Sequence, residues 1–255
     1  AFLPSRLEDN PSLGEDYEAR LMLLDPVTRA RLRRGDWLIK PAKGLYFQRH
    51  WWQFAKSVPH GGMRVRAWDL AATEPRDKND PDWTVGVRMT WVPLPPDRRG
   101  NQLVDAYGRP LARWYIDDVI RIRATPGVVA QTVRTTALMD GADTTIVLQQ
   151  DPGQAGKSQL ADYKSMLAGF SVRTERPSGD KVQRASPFST QVEAGNVYLV
   201  TGEFQPPPWI ETYVSEHASF PEPGVHDDLV DASSSAFQAS GHPVPRGNYT
   251  GHRGL

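Results

Sequence analysis

From Met63 onward the chain alternates. In "MRVRAWD" the apolar Met63, Val65 and Ala67 are separated by Arg64 and Arg66, a period of two that predicts a strand ending at Asp69. "TVGVRMTWV", Thr84 to Val92, predicts a second strand, and "RWYIDDVIRI", Arg113 to Ile122, a third. Turn formers fill "PLPPDRRGNQLVDAYGRP" between them, so these three strands should run antiparallel. The period then switches back and forth. Thr125-Pro126 starts a helix with Val129, Val133 and Ala137 on one face, ending at Gly141. "TTIVLQQ", "FSVRTE" and "NVYLVTG" read as short strands. Between and after them, "KSQLADYKSML", "DKVQRASPFSTQVEAG", "PPPWIETYVSEHASF" and "VHDDLVDASSSAFQ" read as helices, the second capped or kinked at Pro187.

The first sixty residues read differently. Tyr17, Leu21 and Leu24 fall at helical spacing, and Asp25-Pro26 opens a second short helix that runs to Gly35. A loop-rich piece with Trp37, Phe47, Trp51 and Trp52 follows, its aromatics expected to pack as core or against a neighbouring domain. The tail "GHPVPRGNYTGHRGL" has no periodicity and is expected to be loosely held. The divisions are therefore an extension over 1–60, a domain over 61–240 and a tail over 241–255.

Composition narrows the chemistry. Thirty basic and thirty acidic residues balance in 255, so no global field advertises nucleic acid or a membrane. Without cysteine there is neither a disulfide framework nor a thiolate metal site, and any metal must take oxygen or imidazole ligands. No apolar run approaches the roughly 20 residues that span a bilayer, and "AFLPSRLEDNP" lacks the order of a signal peptide. A soluble, intracellular protein is expected, and the start without Met reads as a piece of a longer one.

"LQQDPGQAGKS", Leu148 to Ser158, looks like a phosphate-binding loop but is too short. Such a loop needs four residues between its first Gly and its Gly-Lys, and here only Gln154 and Ala155 stand there. The acids offer a better account. Asp69 closes the first strand and Asp151 follows the fourth, while Asp227, Asp228 and Asp231 gather on the last helix at spacings of three and four. Carboxylates so placed repel unless a cation sits among them, and a hard divalent ion is the natural partner. Three strands, then alternating helices and strands, with acids after the first and fourth strands and on the final helix, is the layout of the ribonuclease-H-like fold. The fold class expected is thus α/β, with a mixed five- or six-stranded sheet flanked by helices.

"RAWDLAATE" with "DWTVGV", then "VLQQDPGQAGKSQLADY", then "FPEPGVHDDLVDASSSAF", resemble the successive motifs of the nuclease domain of the large terminase subunit of tailed bacteriophages. The opening "FLPSRLEDNPSL" to "RLRRGDW" is similar to the segment joining that family's ATPase and nuclease domains. The resemblance implies an endonuclease that cuts concatemeric double-stranded viral DNA during packaging, using two Mg²⁺ or Mn²⁺ ions. It also implies the portal protein, the small terminase subunit and the ATPase domain as partners, in the host cytoplasm. By motif position Asp69 is similar to the first metal ligand and should bridge both ions, while Asp227, Asp228 and Asp231 cover the third acid. The chain departs from the family at the second acid, where Gln149 carries no charge; Asp151, two residues on, points the same way in a strand and is expected to supply it.

Arg98, Arg99 and Arg109, with Arg113, could form a basic hairpin on the phosphate backbone, and Lys157 could reach a phosphate as well. Asp82 could orient a metal-bound water, and His226 could assist proton transfer. The competing reading is a docking module of the packaging motor with weak or no activity in isolation.

Overall fold

The computed structural model describes residues 17, 21, 24, 26–35, 43–71, 82–105, 108, 110–150, 154–176 and 179–241. Most of the predicted first helix, Trp37, Arg109, Asp151 and the tail beyond Gly241 lie outside the described residues. The elements in chain order are α1 (Pro26–Arg34), β1 (Gln53–Ala55), β2 (Met63–Asp69), β3 (Thr84–Pro93), β4 (Ala112–Ile122), α2 (Pro126–Asp140), β5 (Thr145–Gln149), α3 (Gln154–Met166), β6 (Val172–Glu175), α4 (Lys181–Glu193), β7 (Val197–Val200), α5 (Trp209–Ser219) and α6 (Asp228–Ser240).

All seven strands form one mixed sheet in the order β1-β7-β4-β3-β2-β5-β6. As the alternation predicts, β3 runs antiparallel to both β2 and β4. The later strands join in parallel, β5 on β2, β6 on β5 and β7 on β4. The sheet has one strand more than the five or six expected, because β1 adds in parallel to the edge of β7. Three residues are too few to show a period, which is why this stretch reads as loop. Its neighbours Tyr46, Phe47 and Trp52 are buried in the main core, so residues before the expected boundary at 61 belong to the sheet's body.

Helices cover both faces. Val65, Ala67, Val85, Val87 and Met89 face one core shared with α4, α5 and α6, where Phe188, Tyr213, Leu229 and Ala236 meet them. Trp68, Ile146 and Leu148 face the other, with Val129 and Val133 of α2 and Tyr163 of α3. The close fit at Trp68 requires glycine opposite it, since a Cβ on Gly86 would lie 2.7 Å from the indole ring. The two-sided cover also corrects a simple inside–outside reading of β2. Arg66, placed by alternation on a polar face, is 1% exposed. It is neutralised there by Asp140 at the end of α2, 2.7 Å away, and by Asp118, 2.6 Å away. A bulge in β4 supplies the geometry: the register passes from Arg88 opposite Asp118 to Met89 opposite Ile116, leaving Asp117 as the extra residue, and Asp117 accepts from Arg88.

Pro187 lies inside α4 without ending it. The lost backbone donor costs one helical bond. The turn is held from outside by Phe188 in the core and by the Ser189 hydroxyl, which donates to the Tyr46 carbonyl.

Candidate metal centre

Asp69 is the last residue of β2, paired with Val85 near the start of β3. Alternation puts it on the face of Ala67, which lies in the core cluster with Leu229 and Ala232 of α6. Helix α6 begins at Asp228, whose buried carboxylate accepts the Trp83 N–H at 3.1 Å. That one bond ties the first turn of the last helix to the entry of β3, beside the end of β2.

Asp228 has two companions. Nδ1 of His226 lies 3.5 Å from Asp228 Oδ2 and 3.9 Å from Asp82 Oδ1. One ligand atom from each of the three falls within 4.8 Å of the others, the one such group among the described residues. Burial raises the Asp228 carboxyl above the usual carboxylate range, against the Trp83 N–H and with help from the nearby Asp82 charge. Carboxylates gathered in this way suit a hard divalent cation, and the donor set fits one.

The other two acids of the cluster, Asp227 just ahead of α6 and Asp231 in its first turn, are engaged elsewhere. Lys181 Nζ sits 2.7 Å from Asp227 Oδ1 and 3.4 Å from Asp231 Oδ2, and Arg184 Nη2 sits 2.7 Å from Asp231 Oδ1. Burial opposes the Lys181 charge, but the hydrogen bond to Asp227 and the field of Asp231 outweigh it and hold the ammonium above its ordinary value. These pairs clasp α4 to α6. Asp231→Asn is expected to lower stability by about 1.5–3 kcal/mol, the range for hydrogen bonds to charged groups, read as a shift in denaturant midpoint at unchanged slope.

At the second acid position, pairing of β5 with β2 runs to Leu148 opposite Trp68, one step short of Gln149 and Asp69. Gln149 lies opposite Glu175, the last residue of β6. Both line a cavity of about 360 Å³ with Arg184, Asp231 and Ser235. Burial raises the Glu175 carboxyl, against the Ser235 hydroxyl that donates to it at 2.6 Å. The chain thus carries a carboxylate one strand beyond the uncharged Gln149, and a strand ending in Glu was its sequence signal.

The basic candidates are spread out. Arg98 and Arg99 are exposed in the turn that follows β3, at its Pro93 end. Eight residues separate that end from Val85, roughly 27 Å along the strand. The structure does not bring them to the acids. Lys157 is exposed in the first turn of α3. A different basic pair stands close to the centre: the guanidiniums of Arg121 and Arg123 lie over the Trp83 ring, 3.8 and 4.1 Å from its centroid. Arg121 also reaches Glu216 at 3.2 Å, and Glu216 accepts the Leu229 N–H at 2.7 Å. Burial pushes the Glu216 carboxyl up to about 7, against that N–H and the Arg121 charge. The "IRIR" run that carries the alternation of β4 one residue past its end was the signal for this pair, since residues two apart in extended chain share a face.

This chain belongs to the terminase RNaseH-like domain family, whose model matches residues 66–240. The matched segment takes in all the acids named above. Among solved structures, the large terminase nuclease of thermophilic phage G20c with bound zinc is 16% identical, with 76% of this chain and 97% of that one covered at a TM-score of 0.45. The human cytomegalovirus terminase nuclease domain, manganese-soaked and inhibitor-bound, is 11% identical over 70% of this chain and 83% of that one, at 0.47. Fowlpox virus resolvase in complex with Holliday junction DNA is 8% identical over 70% and 97%, at 0.39. No curated protein matches.

Proposed function

We propose that the chain is a divalent-metal-dependent nuclease that cuts double-stranded DNA during viral genome packaging. Membership of the terminase RNaseH-like family supports the reaction class. The observation that carries the reading is the Trp83 N–H bond, which seats Asp228 beside the strand end at Asp69 with Asp82 and His226 around it. Asp69, Asp82 and Asp228 are the oxygen donors we assign to Mg²⁺ or Mn²⁺, with Asp151 as a further donor. Two such ions would activate water on one side of a phosphodiester and stabilise the leaving oxygen on the other. The protein's own part is to hold Asp69 at a strand end and Asp228 at a helix start before substrate arrives, while Lys181 and Arg184 keep Asp227 and Asp231 in the clasp. The portal, the small terminase subunit and an ATPase domain are the partners this role requires, in the host cytoplasm.

The test is supercoiled plasmid cleavage by the chain with Mg²⁺, with Mn²⁺ and with chelator, alongside Asp69→Ala and Asp151→Asn. Cutting is expected with metal, and is expected to vanish with chelator and in the Asp69 variant. Activity near wild type in Asp151→Asn would remove that residue from the donor set. A folded chain that cuts with neither metal would favour a docking role instead, a reading supported by the uncharged Gln149 and by the basic clasp on Asp227 and Asp231.

A further inference from the structure

We propose that Arg123 fixes the tautomer of His226, so that the imidazole turns a proton rather than a lone pair toward Asp82 and Asp228, and that this reserves the centre for ions that prefer oxygen ligands. The inference rests on the metal-centre reading above and names what sets its choice of ion.

Arg123 Nη2 lies 2.9 Å from His226 Nε2. A guanidinium has donors and no acceptor, so at this distance Nε2 must be the acceptor. An imidazole whose Nε2 accepts is neutral and carries its proton on Nδ1. A doubly protonated ring would set N–H against N–H at the same contact. Nδ1 is the atom that faces the carboxylates, 3.5 Å from Asp228 Oδ2 and 3.9 Å from Asp82 Oδ1. A protonated ring nitrogen cannot ligate a metal. It can hydrogen-bond to a carboxylate or to a water held between the acids.

Arg123 is well placed to enforce this. Its guanidinium lies over the Trp83 ring at 4.1 Å, and the Trp83 backbone N–H is itself bound to Asp228. Arg121 lies over the same ring and is tied to Glu216, which caps the first turn of α6 through Leu229. The arginine that sets the imidazole and the amide that sets Asp228 therefore meet at one residue, the first on its ring and the second in its backbone. Without Arg123 the opposite tautomer becomes available. Asp82, His226 and Asp228 would then offer one nitrogen and two oxygens, a set that suits zinc far better than magnesium.

Two readouts on the full 255-residue chain test this without DNA. The first is long-range ¹H–¹⁵N correlation spectroscopy of the histidine-labelled protein, metal-free and with Zn²⁺ added, with His226→Ala for assignment. His226 is expected as the Nδ1–H tautomer in the wild type under both conditions and, in Arg123→Met, as the Nε2–H tautomer once Zn²⁺ is present. The second is calorimetric titration with Zn²⁺ and Mg²⁺. Arg123→Met is expected to gain about tenfold or more in zinc affinity, with magnesium affinity nearly unchanged, on the scale by which partners of metal-ligating histidines tune affinity. An Nε2–H tautomer in the wild type would overturn the proposal. So would a switched tautomer in Arg123→Met that leaves the zinc-to-magnesium ratio where it was. Should Arg123→Met fail to fold, His226→Ala decides: zinc affinity equal to wild type supports the inference, and a loss of zinc affinity overturns it. Plasmid cleavage enters neither readout, so a chain that shows this tautomer and metal preference but cuts nothing would sink the nuclease reading alone.

Discussion

Asp228→Asn is expected to abolish metal-dependent plasmid cleavage, a loss of at least about 100-fold or about 3 kcal/mol of transition-state stabilisation. The substitution is nearly isosteric. An Asn side-chain carbonyl can still accept the Trp83 N–H that Asp228 accepts at 3.1 Å, so the junction of α6 and β3 should survive. What disappears is the charge. Because burial already disfavours ionised Asp228, its removal should leave stability unchanged or slightly raised, and thermal unfolding checks that in the same preparation. Asp227→Asn is the contrast: that carboxylate serves Lys181, and its variant should keep most of the cleavage rate. Equal losses in both would place the metal on the clasp side of α6 and not beside Trp83.

Asp140→Ala is expected to be the most destabilising single change, at about 3–5 kcal/mol by chemical denaturation, the range for stripping one partner from a buried ion pair. Asp140 accepts from Arg66 at 2.7 and 2.9 Å and from Arg88 at 2.6 Å, and its side chain is 3% exposed. Its loss would leave Arg66 in the sheet with Asp118 as its one remaining carboxylate and the Gly86 carbonyl, the end of α2 unpinned and a void besides. Burial alone would raise the Asp140 carboxyl, but Arg66 and then Arg88 more than offset it and hold it below the usual range. A depressed folded value means that the contribution is fully present above about pH 4, the unfolded range, and is lost as pH falls through the lower folded value. Acid unfolding should therefore begin at higher pH in any variant that weakens this network, and Asp140→Asn offers a milder version.

Much of this was legible in the sequence, and what was not has identifiable causes. The alternation over Met63–Asp69 fixed the strand that ends in the first acid, because a period of two survives even where both faces are covered. The same pattern hid the burial of Arg66, since a binary reading sends every arginine to water and cannot see Asp140, 74 positions away in the chain. The "HDDLVDA" cluster placed three acids on one helix. Only tertiary contacts separated them, through Lys181 and Arg184 on one side and the Trp83 amide on the other. Glu216 has no sequence signal and Arg123 only the alternating "IRIR" run: each matters through the ring or helix end it touches. Arg98 and Arg99 drew attention as a basic pair in a turn, yet strand length carries that turn away from the acids.

Strand β1 lies ahead of the span matched by the family model, which begins at residue 66, yet it forms one edge of the sheet. The matched span and the stretch of chain that builds the sheet therefore differ in length. A fragment cut to the matched span would leave β7 with its amides and carbonyls bare, a ready template for another chain's strand. In this chain that side of β7 is paired with β1, so the outermost strand is one of only three residues, short enough to offer another chain little to pair with.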